Sequence, residues 1–273
     1  MRGMVLRSAW PATVIATALA VVVSGAAPAE GPVLDRAALV IGPAAGVTSL
    51  DDVARAPAGP PAQSHRPAQP APEPHLMVHV DRPLAAHLRP DAGSKVIDTV
   101  VTSSKYYRIG IVAWVEEVAK GGRWGRVEIP YSWPRRDGWI NLDGLRTETT
   151  WVSVEVDLSR HRVTVSKRGG RLFSFAGAIG TSASPTPPGE YFVTDRIAFA
   201  RGSYLGSFAF GISGIQPRLP AGWSGGNQLA IHGTNSPWTI GRNASAGCVR
   251  VSEQALARMK PLLRLGTPVV IVR

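Results

Sequence analysis

Two residue types at one spacing could do chemistry: Cys248 and, sixteen positions upstream, His232. Cys248 is the single cysteine of 273 residues, so it has no partner for an internal disulfide, and a thiolate-based zinc site needs at least two sulfurs. It is then either a small buried hydrophobe or a reactive thiol. Gly247 directly before it lets the backbone turn sharply, so that nearby amides converge on one point, as an oxyanion hole requires. Arg250 places a cation beside the sulfur, and a helix opening at Ser252 brings its positive end close behind. Both favour thiolate over thiol. His232 ends a short apolar strand at 229–231, before a loop at 233–244. A Cys–His pair at an open loop is the minimum for nucleophilic acyl transfer. On these residues alone, a buried thiol and a satisfied strand-end histidine stay open as structural readings.

Other chemistries fit less well. Gly222-Trp223-Ser224-Gly225-Gly226 matches the G-x-S-x-G pattern of a serine hydrolase elbow, which needs a strand before it, a helix after it, and then an acid and a histidine. Here Pro217 and Pro220 precede it, a short strand follows, and no Asp occurs after Asp195. A metallohydrolase needs clustered ligands, yet only His161, His232 and five acids follow Trp151. Those acids, Glu155, Asp157, Glu190, Asp195 and Glu253, carry no motif that would support glycoside hydrolysis. No metal or cofactor is expected.

The elements that must position the pair are mostly strands. Val152, Val154, Val156 and Leu158 alternate with Ser153, Glu155 and Asp157, the pattern of a half-buried strand. A second strand is expected around Val163 and Val165, a third at 172–176, another at 190–194 and a last one at 269–272. The stretch 196–227, with seven Gly and two Pro, has no periodicity and reads as a long surface excursion, a candidate lid carrying Tyr204, Phe208 and Trp223. One helix is expected at 252–265. Ser252 caps it, Glu253 suits its positive end, Leu256, Met259 and Leu263 line one face, Pro261 kinks or splits it, and Gly266 stops it.

The chain ahead of Trp151 divides in three. Arg2 and Arg7 precede an apolar run at 9–23 and then small residues, the layout of a secretory signal peptide at 1–26, too short to span a bilayer as a helix. Residues 26–75 hold ten Pro and thirteen Ala but no Phe, Trp or Tyr, and such a segment cannot offset its ordering entropy by burial. Residues 27–75 are therefore read as a disordered spacer, with a short helix expected at 35–41. From Leu76 short apolar runs separated by turn signals indicate a small antiparallel barrel. Trp124-Gly125-Arg126-Val127 and Asp137-Gly138-Trp139-Ile140-Asn141 look like the closing strands of bacterial SH3-like domains, a resemblance covering 76–148. A family-specific β-domain acting as a stand-off is the other reading.

Charge is uneven. Of the net +11, residues 1–150 contribute +2 and residues 151–273 contribute +9. A field of that sign attracts polyanions, and export would make nucleic acid an unsuitable partner and leave acidic wall polymers or an anionic membrane surface. Membrane contact is expected only transiently, through the signal segment.

Ile231-His232-Gly233-Thr234 followed by Ser245-Ala246-Gly247-Cys248-Val249-Arg250 resembles the signature of the YkuD-type L,D-transpeptidase domain. Thr186-Pro187-Pro188-Gly189-Glu190-Tyr191 and Gly266-Thr267-Pro268-Val269 are similar to that family's strand-opening and closing motifs, so the resemblance covers 151–273. It implies a mostly β domain with one packed helix, so that with the SH3-like resemblance the expected fold class is mainly β, an SH3-like small barrel followed by an L,D-transpeptidase-type β-rich domain. It implies an extracytoplasmic enzyme without cofactor that exchanges acyl partners on peptidoglycan stem peptides, with a tetrapeptide donor and an amine acceptor. Cys248 would be the nucleophile, His232 the base and then acid, and the Gly233 carbonyl would orient the imidazole. Ala246, Gly247 and Cys248 amides would form the oxyanion hole. Arg250, Ser245, Thr234, Trp223 and Tyr204 are the candidate substrate contacts. The family often has a second histidine where this chain has Ala246; the amide survives that change. A carboxypeptidase using water as acceptor, and a wall-binding protein without turnover, are the alternative functions.

Overall fold

The structure, a computed structural model, describes residues 72–119, 121–200 and 202–273. The expected signal segment, the short helix at 35–41 and nearly all of the spacer lie outside the described residues. Among those described, no helix is long and apolar enough to cross a membrane.

The first half forms a seven-stranded sheet from β1 (His75–His79), β2 (Leu84–His87), β3 (Val96–Val100), β4 (Val112–Val118), β5 (Trp124–Glu128), β6 (Asp137–Asn141) and β7 (Thr147–Thr150), in the order β3-β2-β6-β5-β4-β1-β7. Its core is Val78, Ala86, Val100, Ala113, Val127 and Ile140, all fully buried. Between β3 and β4 the chain makes a tight excursion. The Ser104 amide donates to Ile109 O at 2.7 Å, the Ile109 amide returns to Ser104 Oγ at 3.1 Å, and Ser103 bridges Gly110. The tip, 105–108, is exposed on this closed base.

The second half contains β8 (Val152–Asp157), β9 (Arg162–Lys167), β10 (Gly170–Ala176), β11 (Ile179–Gly180), β12 (Gly189–Ala198), β13 (Phe208–Ile215), β14 (Gln228–His232), β15 (Asn243–Ser245), β16 (Val249–Arg250), α1 (Glu253–Met259) and β17 (Pro268–Val272). Eight of these strands form one sheet, β10-β9-β8-β17-β12-β13-β14-β16, while β11 and β15 pair separately. The alternation read at 152–157 is realised: Val152, Val154 and Val156 are buried and their neighbours are not. The closing strand β17 inserts between β8 and β12, parallel to β8 and antiparallel to β12.

The helix is shorter than its hydrophobic pattern suggested. Ser252 Oγ accepts from the Ala255 amide at 3.1 Å, as expected of a cap, but α1 ends at Met259. Pro261 lacks an amide proton and its ring collides with the carbonyl one turn back, so the helix stops before it. Leu256, Met259 and Leu263 are all fully buried against the sheet.

The expected excursion at 196–227 is corrected more strongly. Strand β12 runs on to Ala198, and β13 occupies 208–215 with every residue from Ala209 to Gly214 buried. A central strand covered on both faces shows no alternation, so period-two reading fails there. Its glycines are not breakers. A Cβ on Gly211 would lie 2.7 Å from Asp195 Oδ2 and one on Gly214 2.5 Å from the Tyr191 ring, so both make room for neighbours. Phe208 is a strand residue, not part of a lid, and among the described residues the surface excursion shrinks to loops at 199–200, 202–207 and 216–227.

The two sheets are docked through buried groups. Phe192 of β12 belongs to the core of the first sheet and is fully buried. Its amide donates to Ser213 Oγ at 3.0 Å, Ser213 Oγ donates to the Glu128 carboxyl, and the Tyr131 amide donates to Ser213 O at 2.7 Å. Arg135 Nε adds a bond to Glu190 O at 2.8 Å. Glu128 is 1% exposed, and burial pushes its carboxyl well above the usual range despite the Ser213 hydroxyl. The folded chain then keeps a proton that the unfolded chain releases near pH 4.3, so this group's stabilising effect is lost as pH rises above that value. Relative to Glu128→Gln, the wild-type urea midpoint is expected to fall as pH is raised from about 5 to about 8. A constant gap between the two proteins over that range would mean that Glu128 ionises without penalty.

Candidate active site

Strands β14 and β16 are parallel neighbours, with Ile231 opposite Val249 and His232 opposite Arg250. Side chains alternate along a strand, so Ala230 and His232 on one strand share a face with Cys248 and Arg250 on the other. All four line a cavity of about 320 Å³, together with Gln216, Gln228, Tyr204 and Trp223. The sixteen-residue separation in sequence thus becomes adjacent strands in space.

The turn that presents Cys248 is pinned from three directions. Ser245 Oγ accepts from the Gly247 amide at 3.1 Å and donates to Cys248 O at 2.5 Å. Thr186 Oγ1 donates to Gly247 O at 2.7 Å while accepting from the Gly180 amide at 2.8 Å. Gln216, buried to 3% exposure, donates from Nε2 to Pro185 O at 2.9 Å and to Ala246 O at 3.2 Å. Gly247 has φ of 118°, a conformation that disfavours any side chain, and a Cβ there would collide with Gln216 Nε2. The sharp turn read from the glycine is present, and Gln216 is the support that the sequence did not disclose.

His232 Nδ1 lies 2.6 Å from Gly233 O. A carbonyl only accepts, so Nδ1 carries the proton and Nε2 is left as the acceptor. Burial lowers the imidazole to about 4, with Arg250 adding to that effect and the Gly233 and Leu205 carbonyls opposing it. His232 is therefore neutral at neutral pH, the state required of a base. Cys248 differs from expectation. Burial of the thiol raises it, and this outweighs the lowering by the Ala230 backbone and by Arg250. The thiol donates to Gln228 O at 3.9 Å. The raised thiol and the lowered imidazole both favour a neutral pair over a preformed ion pair.

Other expected residues sort clearly. Among the described residues Arg250 has no carboxylate within 4.0 Å, and its buried Nε has no hydrogen-bond partner, so the cation faces the cavity uncompensated. Among the described residues no carboxylate lines that cavity. Tyr204 and Trp223 line it; Thr234 does not, because its hydroxyl accepts from the Ser236 amide at 3.0 Å inside a turn. Ser245 lines it, but both of its bonds brace the Cys248 turn. The Gly247 amide is consumed by Ser245 Oγ and is removed from the expected oxyanion set, whereas the Ala246 and Cys248 amides have no such partner among the described residues. Tyr106 and Tyr107, from the first sheet, reach the same cavity although nothing in the sequence tied them to Cys248. The Gly222–Gly226 pattern lies in a loop with no strand entering it, so it forms no elbow.

A thiol raised by burial alkylates slowly at neutral pH. With iodoacetamide, the rate at Cys248 is expected to climb with pH to a midpoint above the ~8.5 of a free cysteine. A midpoint below 7, measured by mass spectrometry of the labelled protein, would instead indicate a preformed thiolate.

Residues 152–271 match the family model described as YkuD, L,D-transpeptidase catalytic domain. The protein YkuD of Bacillus subtilis (strain 168) is 25% identical over 120 residues, which are 44% of this chain and 65% of that protein, so the chain spans less than two thirds of this relative's length. Among solved structures, an L,D-transpeptidase from Mycobacterium smegmatis matches 70% of this chain and 100% of its own, with 16% identity and a TM-score of 0.39. The catalytic domain of an Enterococcus faecium L,D-transpeptidase matches 44% and 96%, with 22% identity and a TM-score of 0.33. The matched segment begins with β8, ends in β17 and contains the whole His232–Cys248 face, and residues 152–271 are accordingly a YkuD-family L,D-transpeptidase catalytic domain.

Proposed function

We propose that this chain is an exported peptidoglycan L,D-transpeptidase that works through a Cys248 thioester. The observation that carries the reading is the shared face of β14 and β16, which opens His232, Cys248 and an uncompensated Arg250 into one cavity. Rotation of the thiol away from Gln228 O frees its proton for Nε2 of His232 as the sulfur attacks the carbonyl before the terminal D-residue. The carbonyl oxygen takes up the negative charge and is met by the Ala246 and Cys248 amides. Collapse breaks the peptide C–N bond, the leaving amine takes the proton from Nε2, and D-alanine departs. The acceptor amine then attacks the thioester, gives a proton to His232, and the sulfur leaves as the thiol. Gly233 keeps the imidazole in the tautomer that both halves need. Arg250 binds a carboxylate of the stem.

Residues 1–26 export the protein and 27–75 space the folded part from the membrane, with the first sheet as an SH3-like module. The excess of nine positive charges on 151–273 suits an anionic wall.

Incubating the full chain with disaccharide-tetrapeptide and resolving products by mass is expected to give cross-linked dimer with loss of D-alanine, and none with Cys248→Ala. Trimmed tripeptide alone would make the enzyme a carboxypeptidase; unchanged substrate would favour a wall-binding protein. Arg250→Ala is expected to lower kcat/KM by about 10- to 100-fold, mainly through KM, the worth of one charge-assisted hydrogen bond. A fall confined to kcat would assign Arg250 to the transition state instead.

A further inference from the structure

We propose that the first sheet completes the substrate site: Tyr107, carried on the 105–108 tip, forms with Tyr204 and Trp223 an aromatic mouth that stacks on the neutral glycan to which the stem is attached. The proposal rests on the transpeptidase reading and names a second part of its substrate.

Tyr106, Tyr107, Tyr204 and Trp223 all line the cavity that contains Cys248, yet they are 45%, 47%, 59% and 41% exposed. Large rings left open to water at a cavity mouth indicate a ligand surface, since a core would have covered them. Two of the four come from the first sheet and two from the loops of the second, and Tyr106 and Trp223 are held by hydrogen bonds of their own. The tip stands on the closed Ser104–Ile109 base. Tyr106 Oη accepts from the Asn227 amide at 3.1 Å and donates to Asn227 Oδ1 at 3.1 Å, and Lys105 Nζ donates to the same oxygen at 3.0 Å. Gly225 and Gly226 allow this approach: a Cβ on Gly226 would lie 2.5 Å from the Tyr106 ring, and one on Gly225 would lie 2.9 Å from Trp223 Nε1. The glycine pair of the false elbow motif thus joins the two halves of the mouth.

The chemistry of the rings selects the occupant. Among the described residues the mouth is lined by aromatic rings with polar tips, no carboxylate lines the cavity, and the arginine that does, Arg250, sits beside Cys248. A pyranose presents a neutral face of C–H groups flanked by hydroxyls, which suits aromatic faces with polar tips.

The test compares kcat/KM for disaccharide-tetrapeptide with that for the free tetrapeptide. The wild-type ratio is expected to be about five to ten in favour of the glycan-bearing substrate, the worth of a stacked ring. Tyr107→Ala should bring the ratio close to one, and Tyr107→Phe, which keeps the ring, should retain it. In parallel, saturation-transfer NMR with the neutral disaccharide N,N′-diacetylchitobiose should show transfer to the sugar ring protons with the full-length Cys248→Ala protein and lose it when Tyr107→Ala is added. A wild-type ratio of one, or a ratio that Tyr107→Ala leaves in place, would overturn the proposal, as would sugar transfer indifferent to Tyr107. If neither stem substrate reacts but Tyr107-dependent sugar transfer persists, the transpeptidase reading fails while the glycan mouth stands.

Discussion

The parallel contact between β14 and β16 is the constraint on which the site depends. Strand β16 has only two residues, too few to be stable by its own ladder, and it is held from both sides. Val251 donates to His232 O at 2.8 Å on the β14 side, while Arg250 and Ala178 exchange two bonds of 2.8 Å on the other. Because alternation is fixed by the backbone, register alone decides which residues share the cavity. A slip of one residue would turn Cys248 and Arg250 away from His232 and present Val249 instead. The buried Val249 and Val251 resist that slip, since it would also move two apolar side chains out of the core. The pinned turn at 245–248 is the second half of the same constraint, fixing where the strand begins.

Burial sets the protonation of that face. With the thiol raised and His232 lowered to about 4, a separated thiolate and imidazolium are disfavoured at neutral pH. In the proposed reaction the proton therefore moves as the S–C bond forms, and the charge appears on the oxyanion, where amides are waiting. In that proposed reaction Arg250 would link binding to this step. Its positive charge is one cause of the low basicity of His232, so a stem carboxylate seated on the guanidinium would offset that effect and make Nε2 a better base. Under the proposed mechanism, occupancy of the site and competence for proton transfer would then rise together.

Much of this was legible in the sequence because the informative residues act locally. Ser252 caps its own helix and Pro261 ends it, and the valine alternation at 152–157 needs only the pleat. The His232–Gly233 bond is likewise between neighbours. What was illegible depended on distant partners. The hydrophobic run at 208–215 carries two glycines that signal a loop until Asp195, Gln228 and Tyr191 are placed beside them. The Gly247 amide looked available for an oxyanion until Ser245 Oγ was found on it. Thr186 and Gln216 hold the Cys248 turn across 61 and 30 residues respectively, distances over which side-chain pairing leaves no pattern in a single sequence. The rise of the thiol follows the same rule: proximity to Arg250 could be read, but the desolvation that outweighs it is a property of the assembled core.

The polar character of the junction between the sheets fits its role. Phe192 supplies apolar burial, but Glu128, Ser213, Tyr131 and Arg135 make directional bonds there, and such bonds are satisfied in few relative poses. An apolar face would tolerate sliding by an ångström or two; a buried carboxyl that loses its hydroxyl partner is left with the full penalty of desolvation. The junction thereby fixes the orientation of the first sheet, whose 105–108 tip brings Tyr106 and Tyr107 to the cavity that contains Cys248. Because β12 donates Phe192 to one core and pairs in the other sheet with β13, which pairs in turn with β14, the strand that docks the two halves is separated from the reactive face by a single strand. The small sheet is thus built into the site, and a tethered spacer would need none of these contacts.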